Sequence, residues 1–190
     1  LWNLLEELGI DVNARTQAIV QNPKEDAPGG TKIINAFKYK NWSQLFNSWE
    51  DVAIFSTVVT PGAVAFLGQY RESTYLPWAK VSERIWKEEL GHLSFGIWCS
   101  QRIIDIDGEE GRRKLNAAIP KFLSAGLGFY GRDASDSQHW KIYHQFGLKP
   151  KRPEVLREEY LSIVKDRLAQ LGLEYPEGVK ADYEMNFKLQ

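Results

Sequence analysis

The sequence predicts an all-α protein, and three observations lead to that prediction. Apolar residues recur every three or four positions through several long segments, which is the spacing that puts them on one face of a helix. Alternation of apolar and polar residues is missing apart from a short ambiguous run at Val52 to Val59, so little strand is expected. Proline and glycine stand near the ends of the periodic segments, where helices tolerate them. We therefore expect one helical-bundle domain over residues 1–190.

The chain opens on a helix and then loses its periodicity. Leucines spaced over residues 1–8 form an apolar face that stops at Gly9, as at the end of a helix. Residues 22–40 contain two prolines and two adjacent glycines without a sustained period, which indicates a connection. Because the first helix begins inside its own pattern and without Met, we expect this chain to be the C-terminal part of a longer protein, with N-terminal helices missing.

A tryptophan-led helix follows the connection. Asn41 or Ser43 can cap it, and its apolar positions continue to Thr60. The pair Pro61-Gly62 predicts a kink or a break there, because proline removes a backbone donor from the helix. A further apolar segment follows at 63–70. The apolar positions of the tryptophan-led helix are Trp42, Leu45, Trp49, Val52 and Val59.

The rest of the chain predicts longer helices separated by polar turns. Proline in the first turn and glycine just past the last turn mark the clearest of them. The first predicted element is a long helix from Tyr75–Pro77 to about Ile104, followed by a turn at Asp105–Gly111. A helix from Arg112 to about Phe129, interrupted at Pro120, and a loop at Gly131–Gln138 come next. The last elements are a helix at Arg152–Leu171, with the apolar stripe Leu156, Tyr160, Ile163, Leu168 and Leu171, and an irregular tail at 174–190.

Composition excludes several classes of partner and compartment. Twenty-four basic against twenty-five acidic residues give a net charge of -1, with no basic run that would favour nucleic acid. Seven Trp, eight Tyr and nine Phe indicate a large core or a sizeable subunit interface. The lone Cys99, on the apolar stripe, excludes an internal disulfide and points to a reducing compartment. No apolar run of about 18 residues is evident, so we expect a cytoplasmic protein that does not enter a membrane.

An acid and an imidazole interrupt the apolar stripe of the long helix. Glu89 and His92 are one turn apart, on the same side of that helix. Burying an unpaired carboxylate is costly, so a pair on an inward face needs a strong partner such as a metal cation. The alternative is an ordinary ion pair between Glu89 and an Arg or Lys, with His92 bonded to a backbone carbonyl. The stripe consists of Ile85, Glu89, His92, Gly96, Cys99 and Ile103.

These motifs resemble a known family. The segments Trp49-Glu50-Asp51-Val52, Val59-Thr60-Pro61-Gly62-Ala63, Lys87-Glu88-Glu89-Leu90-Gly91-His92 with Gly96, and Ala169-Gln170-Leu171-Gly172-Leu173 are similar to the phenylacetate-CoA oxygenase family, the catalytic subunits of phenylacetyl-CoA epoxidase.

The resemblance implies a ferritin-like bundle and a multicomponent monooxygenase. Such an enzyme converts the aromatic ring of an acyl-CoA thioester to an epoxide, using dioxygen and electrons from a separate reductase. It would act at a di-iron site in which Glu89 is a bridging or terminal carboxylate ligand and His92 an imidazole ligand. Other oxygenase subunits and a reductase are the expected partners, and a homo-oligomer is expected as well.

Two departures from the family pattern leave other interpretations open. The remaining carboxylate of this half of the site should stand at Thr60, which brings no negative charge. The other half of the site would lie upstream of Leu1. The chain is therefore a fragment of the enzyme, a diverged enzyme, or a metal-free relative such as the scaffold subunit of the same complex, and an unrelated helical bundle is a weaker alternative. For the chain as given we expect an incomplete metal site and an exposed apolar edge that associates with partners.

Other polar residues carry weaker signals. His139 and His144 are spaced so that they do not align on a helix, which favours ordinary hydrogen bonding. Lys149, Lys151 and Arg152 could meet the phosphates of CoA, although a solvated helix start is the simpler interpretation.

Overall fold

The computed structural model describes residues 2–14 and 46–181, which belong to two compact units. The described residues contain no β-strand, so the all-α prediction is confirmed. The predicted connection at 22–40 lies outside the described residues. Six α-helices are used below: α1 (Trp2–Glu7), α2 (Trp49–Ile54), α3 (Thr60–Tyr70), α4 (Leu76–Gly128), α5 (Gln138–Gln145) and α6 (Pro153–Leu171).

The first unit, up to Leu45, contains α1. Its end is the predicted one, because Gly9 takes φ 76° and lets the chain turn back. Ile10 N–H then donates to the carbonyl oxygen of Leu5 at 3.0 Å, which satisfies one of the last carbonyls of the helix.

The second unit, from Phe46 onward, begins with α2. The hydroxyl of Ser48 accepts a hydrogen bond from Asp51 N–H at 3.2 Å, and Glu50 and Asp51 put negative charge in the first turn. The predicted start at Asn41 or Ser43 is therefore wrong: the helix begins at Trp49, and those two residues lie outside the described range. Trp49 is exposed, although it was expected on the apolar face.

Pro61 changes the helix without breaking it. Residues Phe55–Val59 form a π-helical turn, in which Thr60 N–H donates to the carbonyl oxygen of Phe55. Pro61 then stands in the first turn of α3, where its missing N–H removes no bond of that helix. In place of the predicted kink or break there is a π-turn, and the helical path continues from Trp49 to Tyr70.

The segment Trp49–Tyr70 is an apolar run of the kind that the sequence analysis expected to be absent. Over 22 residues it contains a window of mean hydropathy 1.6, so by length and composition alone it could cross a membrane. Half of that window is buried inside the protein, and a core helix of a soluble protein passes the same test. The expectation that no such run exists was wrong.

Helix α4 is a 53-residue helix with one kink. Two helical stretches meet at Gly108, where φ 57° and ψ -130° are not helical. The predicted turn at Asp105–Gly111 is reduced to this one residue. Pro120 does not interrupt the helix, because the flanking Ile119, Phe122 and Leu123 are fully buried and hold it in the core.

The core of the second unit lies where α2 and α3, α4 and α6 pack together. The predicted helix at 152–171 is confirmed as α6, and Gly172 ends it with φ 62°. Val164 is fully buried where Ile163 had been expected on the central stripe. The residues after α6 are irregular as far as 181, as predicted. The largest fully buried side chains include Tyr160, Phe122, Ile54, Leu115, Ile119, Leu123 and Leu168.

Helix α5 was not predicted. It is only eight residues long, and Ser137 caps it by accepting from Trp140 N–H at 3.2 Å. A short 3-10 turn at Ala134–Asp136 lies within the predicted loop. The sequence predicted a loop as far as Gln138 and no element for the residues that follow, because eight residues are too few for a sustained helical period.

Candidate metal centre

Glu89 and His92 lie on the first stretch of α4, one helical turn apart. Glu89 Oε2 and His92 Nδ1 are 3.2 Å apart, so the two side chains contact each other as the sequence spacing requires. Among the described residues, the ion-pair partner of Glu89 is this histidine rather than an Arg or Lys.

The prediction that both side chains occupy the core is wrong for His92. Its side chain is 64% exposed, whereas that of Glu89 is 22% exposed. The buried ridge of α4 passes through Glu89 and then Leu93, because the helix repeats every 3.6 residues and His92 falls to the side of that line. The buried residues that define the ridge are Ala79, Ser82, Gly96, Ser100 and Ile104.

Thr60 lies across from this turn of α4. A Cβ added to Gly96 would lie 2.6 Å from the carbonyl carbon of Ser56, and one added to Gly68 would lie 3.6 Å from Trp86 Nε1. These two contacts show that α3 and α4 run antiparallel. Arg167 binds the carbonyl oxygens of both Thr57 and Leu93, so the turn before Thr60 lies near the residue that follows His92. The resemblance calls for a carboxylate at the position of this buried threonine.

Arg167 of α6 reaches the same place, and the sequence interpretation missed it. Its Nε donates to the carbonyl oxygen of Thr57 at 3.0 Å, and its Nη2 donates to the carbonyl oxygen of Leu93. Thr57 is the residue whose carbonyl would accept from position 61 in an α-helix, and Pro61 has no N–H to donate. Partial burial lowers the pKa of the guanidinium below its usual range. The signal was available, because Arg167 interrupts the apolar stripe between Val164 and Leu168.

The described residues do not make up a di-iron site. Within 2–14 and 46–181, no group of three or more His, Cys, Asp or Glu side chains could hold a metal ion. Glu89 and His92 are close enough to ligate one cation together, yet iron in such bundles needs several further carboxylates. Thr60, where the resemblance calls for a carboxylate, brings a neutral hydroxyl, and Arg167 binds the carbonyl oxygen of Leu93, the residue after His92.

Most of the weaker sequence candidates make ordinary structural contacts. His144 stacks on Trp140 with ring centroids 4.4 Å apart, and His144 Nδ1 lies 3.0 Å from the carbonyl oxygen of Lys149. Cys99 packs against the core, and burial raises the pKa of its thiol. Lys151 Nζ pairs with Glu159 at 2.8 Å and Arg152 pairs with Glu154, so Lys149 is the one of these three basic residues that has no acidic partner among the described residues.

An apolar face, here called the Trp98 face, lies beside the kink of α4. Trp49 is 75% exposed, Trp98 63% and Ile106 67%, and Phe95 stacks on Trp98 with ring centroids 6.3 Å apart. Together with Cys99, Arg102 and neighbouring residues they line a groove of about 500 Å³. Large exposed aromatic residues in one patch are typical of a surface that contacts another protein.

Two comparisons with known proteins bear on this geometry. A family model described as phenylacetic acid catabolic protein matches residues 11–187, which is most of the chain. No curated protein matches the sequence.

Proposed function

Since the chain belongs to the phenylacetic acid catabolic protein family, we propose that it is a structural, iron-free subunit of a multicomponent monooxygenase. The membership places the chain in phenylacetate catabolism. The finer part of the proposal is that the complex epoxidises the aromatic ring of an acyl-CoA thioester such as phenylacetyl-CoA. In this arrangement another subunit carries out the oxygen chemistry with electrons from a reductase, and this chain supports it.

The single observation that carries the structural role is the position of Arg167. Its guanidinium binds the carbonyl oxygens of Thr57, three residues before Thr60, and of Leu93, the residue after His92. Arginine stays charged under all ordinary conditions, and a fixed cation disfavours a second cation nearby. A site for two iron ions needs several carboxylates, whereas this chain has a hydroxyl at Thr60 and a guanidinium bound to the carbonyl oxygen of the residue after His92.

The Trp98 face supports the proposed association with other subunits. A scaffold works through its contacts, and obligate interfaces are more apolar and aromatic than the rest of a protein surface. We expect other oxygenase subunits, a second copy of this chain, or both to cover Trp98 and its neighbours. We also place the complex in the cytoplasm, in keeping with the lone cysteine and the proposed CoA thioester substrate.

A second candidate is the catalytic di-iron subunit itself. The 3.2 Å contact between Glu89 Oε2 and His92 Nδ1 favours it, because both atoms could ligate one metal ion without rearrangement. In that case the two side chains would be iron ligands, and the other ligands would come from residues beyond those that the structure describes.

Iron content distinguishes the two roles. The protein is expressed in full length with iron in the medium, purified with and without its partner subunits, and analysed for bound metal. We expect no stoichiometric iron in the chain, and the same result for His92→Ala and for the control His144→Ala, which alters an exposed histidine elsewhere. Iron that is lost from His92→Ala and retained by His144→Ala would assign the catalytic role instead.

A further inference from the structure

A small, partly enclosed cavity lies where α3 meets α5 and the start of α6, away from Glu89 and His92. Its volume is about 60 Å³, enough for a few water molecules or one small ion. Aromatic rings, among them Phe66 and Tyr130, form part of its wall. Polar residues of the lining include Lys149, Lys151, Gln69 and Ser137.

Gln69 brings an unsatisfied acceptor to this cavity. The residue is 1% exposed, and its Oε1 has no hydrogen-bond partner. A buried amide oxygen without a donor is costly, and such groups in native proteins call for a missing water, ion or ligand. Whatever fills the cavity should therefore offer a hydrogen-bond donor to Gln69.

Lys149 brings an unpaired cation to the same cavity. Its Nζ lies 5.0 Å from the ring centroid of Tyr143, 5.7 Å from that of Phe66 and 6.0 Å from that of Tyr70. Within the described chain this ammonium has no carboxylate partner and no hydrogen-bond acceptor. Burial lowers its pKa, which is the expected response of an amine that lacks a counter-ion.

The charge balance of the cavity favours an anion. Two lysines line it and no carboxylate does, since Glu159, which pairs with Lys151 at 2.8 Å, is outside the lining. The larger polar cleft beside α2 differs in this respect, because Glu50 and Asp51 line it and pair with Lys114 and Lys121. A cleft whose cations are already neutralised is a poor anion site, whereas the Lys149 cavity retains a free positive charge.

We propose that the cavity between Gln69 and Lys149 binds a small oxyanion that carries a hydroxyl group, the class to which bicarbonate and hydrogen phosphate belong. The anionic oxygens accept from Lys149 Nζ, and the hydroxyl donates to Gln69 Oε1. Ser137 is a further hydroxyl in the lining. Lys149 is only half-buried, so the site is open to ions from solvent.

The test uses thermal unfolding of the full chain at constant ionic strength, with chloride as the reference anion. Bicarbonate and phosphate are the probes, and nitrate is the matched control, because it has the shape and charge of bicarbonate without the hydroxyl. At saturation we expect bicarbonate or phosphate to raise the unfolding midpoint by a few degrees, and nitrate to raise it by much less. The two probes separate the possible natural ligands.

Two substitutions locate the effect. Lys149→Met should abolish the shift of the unfolding midpoint, whereas Lys165→Met should keep it. Lys165 is the matched control, because its Nζ lies 4.6 Å from the ring centroid of Tyr175, far from the cavity. Gln69→Glu keeps the shape of the side chain and should also abolish binding by placing a carboxylate beside Lys149. If neither probe shifts the midpoint, or if Lys149→Met responds like the unaltered chain, water alone fills the cavity and the proposal is overturned. A shift by nitrate equal to that by bicarbonate would overturn the role of the hydroxyl and of Gln69.

Discussion

Arg167 Nε donates to the carbonyl oxygen of Thr57 at 3.0 Å, and this contact joins the C-terminal helix to the π-turn in the apolar helix. The π-turn precedes Pro61, which cannot donate to that carbonyl. The same guanidinium binds the carbonyl oxygen of Leu93 on α4. One cation therefore links three helices, and it does so through backbone atoms.

Replacing Arg167 should destabilise the fold. In Arg167→Met two carbonyl oxygens lose a charged donor in a partly buried place, so we expect the free energy of unfolding to fall by about 1–3 kcal/mol in urea titrations. Arg113→Met is the matched control, because Arg113 is exposed and pairs only with Glu110 one turn away. Equal midpoints for Arg167→Met and Arg113→Met would show that the helix link contributes nothing.

The close approach of α4 to the π-turn should make Gly96 irreplaceable. A Cβ at this position would lie 2.6 Å from the carbonyl carbon of Ser56 and 2.7 Å from Thr57 N, and backbone atoms cannot move aside as a flexible side chain can. We expect Gly96→Ala to lower the free energy of unfolding by about 1–3 kcal/mol. Gly91→Ala, on the same helix with nothing within 4 Å of the added Cβ, should instead be neutral or stabilise by up to about 1 kcal/mol. Similar effects of the two changes would contradict the close packing.

The sequence predicted the helices well wherever a strong local signal existed. The helix at 153–171 has a proline in its first turn, a sustained apolar stripe and Gly172 after its end, and each of these signals is local. The break at Pro61 was misjudged because a proline in the first turn of one helix can follow a π-turn of the previous one. The start of α2 was also mispredicted. Ser43 and Ser48 are equally suitable cap residues by type, so the sequence alone does not show which of them precedes the helix.

The candidate site was harder to predict because exposure depends on the neighbouring helices. Glu89, His92 and Leu93 all fit a stripe with steps of three and four, and only the position of α3 decides that the buried line passes through Leu93. The sequence shows that Arg167 places a charge on a mostly apolar stripe. It does not show the hydrogen-bond acceptors of that charge, because these are two backbone carbonyls on other helices.

Tyr160 and Tyr130 should respond differently to loss of their hydroxyls. Tyr160 is fully buried and its hydroxyl has no hydrogen-bond partner, so Tyr160→Phe should be neutral or stabilising. Tyr130 donates to the carbonyl oxygen of Gly62 at 3.1 Å, and Tyr130→Phe should cost about 1 kcal/mol in chemical denaturation. The order of the two variants checks the prediction, and a less stable Tyr160→Phe than Tyr130→Phe would contradict it.

Alkaline pH should unfold the protein through its buried tyrosines. Burial raises the pKa of Tyr70, Tyr130 and Tyr160 well above the ordinary value of 10.0. Each neutral phenol therefore contributes stability that is fully present below pH about 10 and is lost as the pH rises above it, because only the unfolded chain releases these protons there. We expect the tyrosinate absorbance of these three buried phenols to appear together with the loss of helical circular dichroism. Tyr160→Phe should move this transition to higher pH, and ionisation of all eight tyrosines while the helices persist would contradict the assignment.

Association should depend on the Trp98 face. Trp98→Glu places a charge where an apolar partner surface is expected. It should therefore weaken self-association, which analytical ultracentrifugation measures, or association with the oxygenase subunits, which co-purification measures. Leu76→Glu is the matched control. Leu76 is 66% exposed, close to the 63% of Trp98, and it lies at the other end of the first stretch of α4. Both variants should remain folded, since neither side chain belongs to the core. Loss of association in Trp98→Glu alone would support a scaffold that works through this surface, whereas unchanged association in both would place the subunit contact elsewhere.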